Sequence, residues 1–144
     1  MADHVSVRKR SEIMRAVPGK DTSPEMALRR WLHARGFRYR LHGRSLPGTP
    51  DLVFASRSAV VFVHGCFWHG HNCSKGRHPK SNVAFWKDKV ATNQARDRRS
   101  LKALRRIGWR CRVVWQCQLK DIDRAGENVV AFLAKPAVAK RYRI

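Results

Sequence analysis

The stretch PDLVFASRSAVVFVH, residues 50–64, decides the fold. Two apolar runs, Asp51–Ala55 and Ala59–His64, flank the short polar break Ser56-Arg57-Ser58. Each run is too short for a helix and is rich in β-branched and aromatic residues, so the pair reads as a central β-hairpin. Upstream, Phe37, Tyr39 and Leu41 alternate with Arg38, Arg40 and His42, the pattern of a half-buried strand. Prolines and glycines make His42–Pro50 a loop. Before it, Ser23-Pro24-Glu25 opens a helix, with Ser23 as cap, Pro24 at the first position and Glu25 at the positive end. Leu28, Trp31 and Leu32 share one face of that helix, and Gly36 stops it.

Downstream, Gly65–Asn82 is polar and rich in His, Cys and Gly, too long for an idle connection. A helix runs from about Val83 to Ile107, ended by Gly108. Its stripe carries Trp86, Val90, Leu101 and Leu104, with Asn93 and Asp97 among them. Trp109, Cys111, Val113, Trp115 and Cys117 alternate as a strand, and Asp123 caps a last helix bearing Val129, Val130, Phe132 and Leu133. The order α-β-β-β-α-β-α implies an α/β mixed sheet flanked by helices. Residues 1–22 read as a basic arm, 23–136 as a single domain and 137–144 as a basic tail.

The 144 residues carry 31 Lys plus Arg against 10 Asp plus Glu, a formal charge of +21. Such a balance points to a polyanion, with nucleic acid first. A membrane surface is disfavoured because no basic amphipathic helix has a clean apolar face. No apolar run approaches the roughly 20 residues of a membrane helix, and MADHVSVRKRSEIM lacks the apolar core of a signal peptide. A cytoplasmic location is expected, in which four cysteines serve as metal ligands or free thiols rather than disulfides.

Several constellations carry chemistry. Cys66-x4-His71-x-Cys73 offers three soft ligands within eight residues, suited to one tetrahedral zinc ion whose fourth ligand is Cys111 or Cys117. Free buried cysteines are the plainer alternative, but little apolar content orders this loop, and zinc contributes on the order of 10 kcal/mol to such a site. Asp51, at a strand mouth, suits Mg²⁺; its plainer reading is a turn residue beside Pro50. His64 and His69 lie close by and titrate near neutrality, as a general base or acid must. Asp97 on an inward stripe needs a partner, either a catalytic imidazole or the flanking Arg96, Arg98 and Arg99. Phe67-Trp68, set in a polar loop, can wedge between base steps, whereas Phe85 suits core packing. Lys75, Arg77, Lys80, Lys87 and Lys89 supply cations for phosphates.

Together these residues closely resemble the very-short-patch-repair (Vsr) mismatch endonuclease family. The resemblance rests on Arg10-Ser11-x-x-Met14-Arg15-Ala16, Asp21-Thr22, Ser45-Leu46-Pro47-Gly48-x-Pro50-Asp51, HGCFWH at 64–69, Phe85-Trp86, Arg96-Asp97-Arg98-Arg99 and Gly108-Trp109-Arg110. It runs from about residue 10 to 120 and implies a restriction-endonuclease-like fold related to the PD-(D/E)XK nucleases. The implied activity is a nick in one strand, 5′ to the thymine of a T:G mismatch left by 5-methylcytosine deamination. By the same resemblance, Asp51 and the backbone carbonyl of Val63 hold Mg²⁺, His69 is the general base and Asp97 orients it. His64 and Glu25 contact phosphate or water at that ion. Cys66, His71, Cys73 and Cys117 hold zinc. Phe67, Trp68 and Trp86 enter the base stack from the major groove, and Met14 and Val17 approach from the minor groove. The family also implies a monomer acting near the nucleoid beside mismatch-repair proteins.

The chain departs from the parent nuclease motif in lacking its second acid and lysine, with Phe62 and His64 in that stretch. Val63 stands where Thr is common, and Gly70 and Asn72 replace histidines of some relatives. Two other readings use the same residues: a nuclease of the restriction or resolvase superfamily with another DNA substrate, and a non-catalytic zinc protein that binds DNA.

Overall fold

The hairpin forms the centre of a four-stranded sheet in the computed structural model, which describes residues 22–73, 76 and 80–135. Strand β2 (Leu52–Phe54) pairs antiparallel with β3 (Ala59–His64) in the register Leu52↔Val61, Val53↔Val60, Phe54↔Ala59. The polar break becomes a 3₁₀ turn, Ala55–Arg57, closed by Ser58 in the left-handed region at φ 48°. Strand β1 is only Arg40–Leu41, antiparallel to β2 and exposed. The alternation from Phe37 therefore predicts a longer strand than forms. Phe37 and Tyr39 still pack on the core, and the Tyr39 hydroxyl donates to the Arg29 carbonyl at 2.9 Å.

Helix α2 (Val83–Arg106) carries the chain from β3 to the parallel edge strand β4 (Arg110–Trp115), paired from Ala59↔Arg110 to His64↔Trp115. The sheet order is β1-β2-β3-β4. Alternate strand residues face opposite layers, as a period of two requires. Leu52, Phe54, Ala59, Val61 and Val114 pack against Leu28, Trp31 and Leu32 of α1 (Ser23–Ala34) and Val129 and Leu133 of α3 (Ile122–Ala134). Val53, Val60 and Phe62 meet Leu104 of α2 on the other face. A mixed sheet flanked by helices is thus the architecture, in the chain order expected.

Three local expectations are corrected. Thr22, not Ser23, caps α1: its hydroxyl accepts from the Glu25 amide at 3.4 Å. Asp121, not Asp123, caps α3 by accepting from the Arg124 amide at 3.2 Å. Asp123 instead accepts the Trp31 indole N–H at 2.8 Å, tying α3 to α1. The last strand also stops at Trp115, so Cys117 sits in a 3₁₀ turn, Gln116–Lys120, beyond it. Met14, Val17 and the rest of the basic arm through residue 21, Lys75 and Arg77, and the tail from residue 136 lie outside the described residues.

Gly126 marks the closest approach of α1 and α3: a Cβ there would lie 2.4 Å from the Trp31 ring. Gly126→Ala should cost roughly 1–3 kcal/mol through overpacking. Urea unfolding with an unchanged slope and a lower midpoint would register the loss; an unchanged midpoint would contradict this packing.

Candidate active site

The mouth of the hairpin, the loop after β3 and the middle of α2 enclose a cavity of about 500 Å³ lined by Asp51, Val63, His64, His69 and Asp97. Asp51 precedes β2, and its Oδ2 accepts the Val63 amide N–H of β3 at 2.7 Å. Two further groups complete its surroundings. Glu25, on α1, is 2% exposed and accepts from Arg29 Nη1 at 3.0 Å. His42 Nε2 lies 3.6 Å from Glu25 Oε2. One donor atom from each of Glu25, His42 and Asp51 falls within 4.8 Å of the others. Burial, joined by the neighbouring Glu25, pushes the Asp51 carboxyl up to about 7, against the pull of the Val63 amide and His42. Two carboxylates crowded together out of water are the oxygen-donor chemistry of a hard divalent cation, which favours the ionised form of both.

Across the cavity, the His64 and His69 rings stack with centroids 3.9 Å apart and planes 3° from parallel. His69 Nδ1 is 2.5 Å from Asp97 Oδ2, and His64 Nδ1 is 3.9 Å from the same oxygen. Burial, reinforced by the adjacent His69, lowers His64 to about 4 despite Asp97. Burial works to raise Asp97, but the His69 hydrogen bond and the electrostatic pull of His64, His69 and Arg96 together bring it below its usual range. The inward-facing Asp97 is thus matched to an imidazole, although Arg96 adds its charge.

The loop that delivers His69 is held from two sides. Cys66, His71, Cys73 and Cys117 bring one donor atom each within 4.8 Å of one another. The Cys117 amide donates to Cys66 Sγ at 3.3 Å, and Cys117 Sγ is 3.5 Å from His71 Nδ1. Cys111, the other possible fourth member, packs instead beside Val60, Phe62 and Leu104. Burial raises the fully buried Cys66 thiol to about 11, which a thiophilic cation would reverse. From the other side, α2 grips the loop backbone. Asn93 Nδ2 donates to the Trp68 carbonyl at 2.7 Å, and Gln94 Nε2 to the His69 carbonyl at 3.2 Å.

Phe67, Trp68 and Trp86 form one aromatic group, with centroids 5.0 to 5.8 Å apart. Phe85, expected in the core, is 39% exposed, whereas Trp86 is 6% exposed. The helical stripe explains this: Trp86 lies on it with Val90, and Phe85 is one residue off.

Of the predicted site residues within the described part, Asp51, Val63, His64, His69 and Asp97 line the cavity, Glu25 lies beside Asp51 and His42, and the others fall in the thiol cluster or the aromatic group. Sequence reasoning missed three: His42, read as the junction of a strand and a loop, and Asn93 and Gln94, to which no task was given. Asn93 carried a signal, being an amide on an apolar stripe one helical turn before Asp97.

Comparison with known proteins is consistent with this geometry. The model of the DNA mismatch endonuclease Vsr family matches residues 2–75. A type II nicking enzyme of Xanthomonas oryzae pv. oryzae, V.XorIIP, is 52% identical over 122 residues, covering 85% of this chain and 90% of that protein. A type II nicking enzyme of Neisseria meningitidis, V.NmeAIP, is 44% identical over 121 residues, 84% of this chain and 86% of its own. The DNA mismatch endonuclease Vsr of Escherichia coli is 41% identical over 130 residues, 90% of this chain and 83% of its own.

Proposed function

From its membership of the Vsr family of DNA mismatch endonucleases, to which this chain belongs, we propose that it nicks one strand of duplex DNA 5′ to the thymine of a T:G mismatch. The carrying observation is that Asp51, His64, His69 and Asp97, from three separate elements, line one cavity. The four-stranded sheet and its flanking helices are in keeping with a restriction-endonuclease-like fold related to the PD-(D/E)XK nucleases.

Asp51, assisted by the Val63 carbonyl and with Glu25 nearby, would hold Mg²⁺, and the crowded carboxylates fit such a cation. A divalent cation supplies charge stabilisation to the phosphoryl oxygens. His69, with Nδ1 tied to Asp97, accepts a proton from the attacking water at Nε2. The water oxygen bonds to phosphorus, the P–O3′ bond breaks, and the departing 3′ oxygen takes a proton from solvent water, so that a 5′-phosphate and a 3′-hydroxyl remain. His64, neutral near pH 7 and stacked on His69, contacts the phosphate. Cys66, His71, Cys73 and Cys117 would hold zinc, which would keep the loop bearing His69 in place; three thiols and an imidazole suit zinc rather than magnesium.

Phe67, Trp68 and Trp86 would enter the stack from the major groove, and Met14 and Val17 would approach from the minor groove. A mismatch costs less to unstack than a matched pair, so deformation contributes to selectivity. The enzyme would act as a monomer at the nucleoid, beside mismatch-repair proteins. No helix among the described residues is long and apolar enough to cross a membrane.

Labelled T:G, matched and four-way DNA incubated with Mg²⁺ test the proposal. Nicking confined to the T:G duplex supports it. Cleavage of matched or branched DNA would favour another nuclease of the superfamily, and binding without cleavage a DNA-binding protein. Asp97→Asn should slow nicking by roughly 10²-fold or more while DNA binding persists, because the imidazole loses its orienting anion. A wild-type single-turnover rate would remove Asp97 from the mechanism.

A further inference from the structure

We propose that His42 is a third side-chain donor of the cation site, and that its nitrogen makes the site take Mn²⁺ in preference to Mg²⁺. The inference rests on the reading of Asp51 and Glu25 as that site. The placement follows from strand register. Arg40 faces Val53 and Leu41 faces Leu52, so His42 falls opposite Asp51. The His42 amide donates to the Asp51 carbonyl at 3.1 Å, extending the β1–β2 ladder by one residue. Residues directly opposite on antiparallel strands project to the same side. His42 is thereby delivered to the cavity wall that holds Asp51.

Its backbone is held in an unusual state. His42 has φ 51°, in the left-handed region that non-glycine residues seldom occupy. Such a conformation persists only where the surroundings impose it, and it clusters at functional sites. The adjacent Gly43 amide bonds to the Pro50 carbonyl at 2.9 Å, and a Cβ at Gly43 would meet Val53 Cγ2 at 2.7 Å. The turn is therefore fixed tightly against β2, and the imidazole goes with it. Nε2 ends 3.6 Å from Glu25 Oε2, with donor atoms of Glu25, His42 and Asp51 within 4.8 Å of one another.

Chemistry then selects the ion. A purely carboxylate and carbonyl site suits Mg²⁺ or Ca²⁺. An imidazole among carboxylates adds a nitrogen that first-row transition ions accept more readily than Mg²⁺ does; Mn²⁺ stands at the weak end of that series and shares the oxygen-donor preference of Mg²⁺, so the nitrogen is what separates the two. With zinc retained in the thiol cluster, Mn²⁺ binding to the protein without DNA is measured by electron paramagnetic resonance, and Mg²⁺ binding by its competition with Mn²⁺. The same titrations are run on His42→Gln and Asp51→Asn, with thermal melts establishing that both fold.

The wild type should bind Mn²⁺ roughly tenfold or more tightly than Mg²⁺, and His42→Gln should lose about that factor for Mn²⁺ alone. A ¹⁴N coupling on bound Mn²⁺ should vanish with the same substitution. If His42→Gln leaves Mn²⁺ affinity and the nitrogen coupling unchanged while Asp51→Asn weakens both ions, the role of His42 is overturned and the site stands. If Asp51→Asn alters neither ion, the cation site itself is misplaced.

Discussion

Replacing Asp51 with Asn should lower single-turnover nicking of a T:G duplex by roughly 10³-fold or more, while leaving DNA affinity nearly unchanged. The amide keeps the shape of the side chain and can still lie against the Val63 amide region, but it carries no charge for a cation. Binding survives because the cations that meet phosphates lie elsewhere on a chain of formal charge +21. A second consequence has the opposite sign. Burial and Glu25 raise Asp51 from 3.8 to about 7 on folding, so the folded state binds its proton more tightly than the unfolded state. The stability this contributes is full below about pH 4 and is lost as pH rises through 7. In protein freed of the divalent cation, Asp51→Asn should therefore melt higher than wild type at pH 8, by up to roughly 4 kcal/mol. The advantage should shrink toward pH 4. Loss of activity with a gain of stability separates a functional carboxylate from a structural one; a fall in both would make Asp51 a folding residue.

Loss of the thiol cluster should be the most damaging change to the loop. Cys117→Ser removes one of the four proposed ligands and should release zinc, whose binding is worth on the order of 10 kcal/mol to sites of this type. The hydrophobic layers on both faces of the sheet do not depend on the loop, since they are built from α1, α2, α3 and the strands. Hydrogen exchange should therefore quicken at residues 65–73 while β2 and β3 keep their protection. Nicking should fall at least 10²-fold, because His69 loses its fixed position. Retained zinc at one ion per chain, or unchanged exchange in the loop, would show that Cys117 is not a ligand.

The central hairpin, the long helix and the layer order were legible because their signals are local: apolar runs of strand length, a 3.6-residue stripe, and glycines at helix ends. Gly36 and Gly108, at φ 89° and 91°, end their helices as glycine's tolerance of the left-handed region predicts. The caps were misjudged by one or two residues, since Thr22 and Ser23, or Asp121 and Asp123, are equally good caps by type. What decided between the two aspartates was a distant group, the Trp31 indole. Alternation alone extended β1 and β4 too far. At β1 the aromatic side chains pack without strand pairing, and after Trp115 the chain turns to bring Cys117 back to Cys66.

The site was readable as residue types and became a site only through tertiary placement. Cys66, His71 and Cys73 declare themselves by spacing, but the choice of Cys117 over Cys111 depends on where a turn ends. Asp97 announced a need for a partner, and the structure supplies His69, 28 residues away in sequence. His42 was invisible as long as β1 was read without its partner; the register that sets it opposite Asp51 is a long-range fact.

The most direct measurement is a double-substitution cycle on single-turnover nicking of one T:G duplex, comparing Asp51→Asn, His69→Ala and the pair together. If both groups act on the same phosphodiester, each single change slows the reaction by at least roughly 10²-fold. The double variant is then little slower than the slower single, because residues acting as a unit are not additive. A wild-type rate in either single variant, or losses that multiply in full, would contradict the convergence on which the account depends.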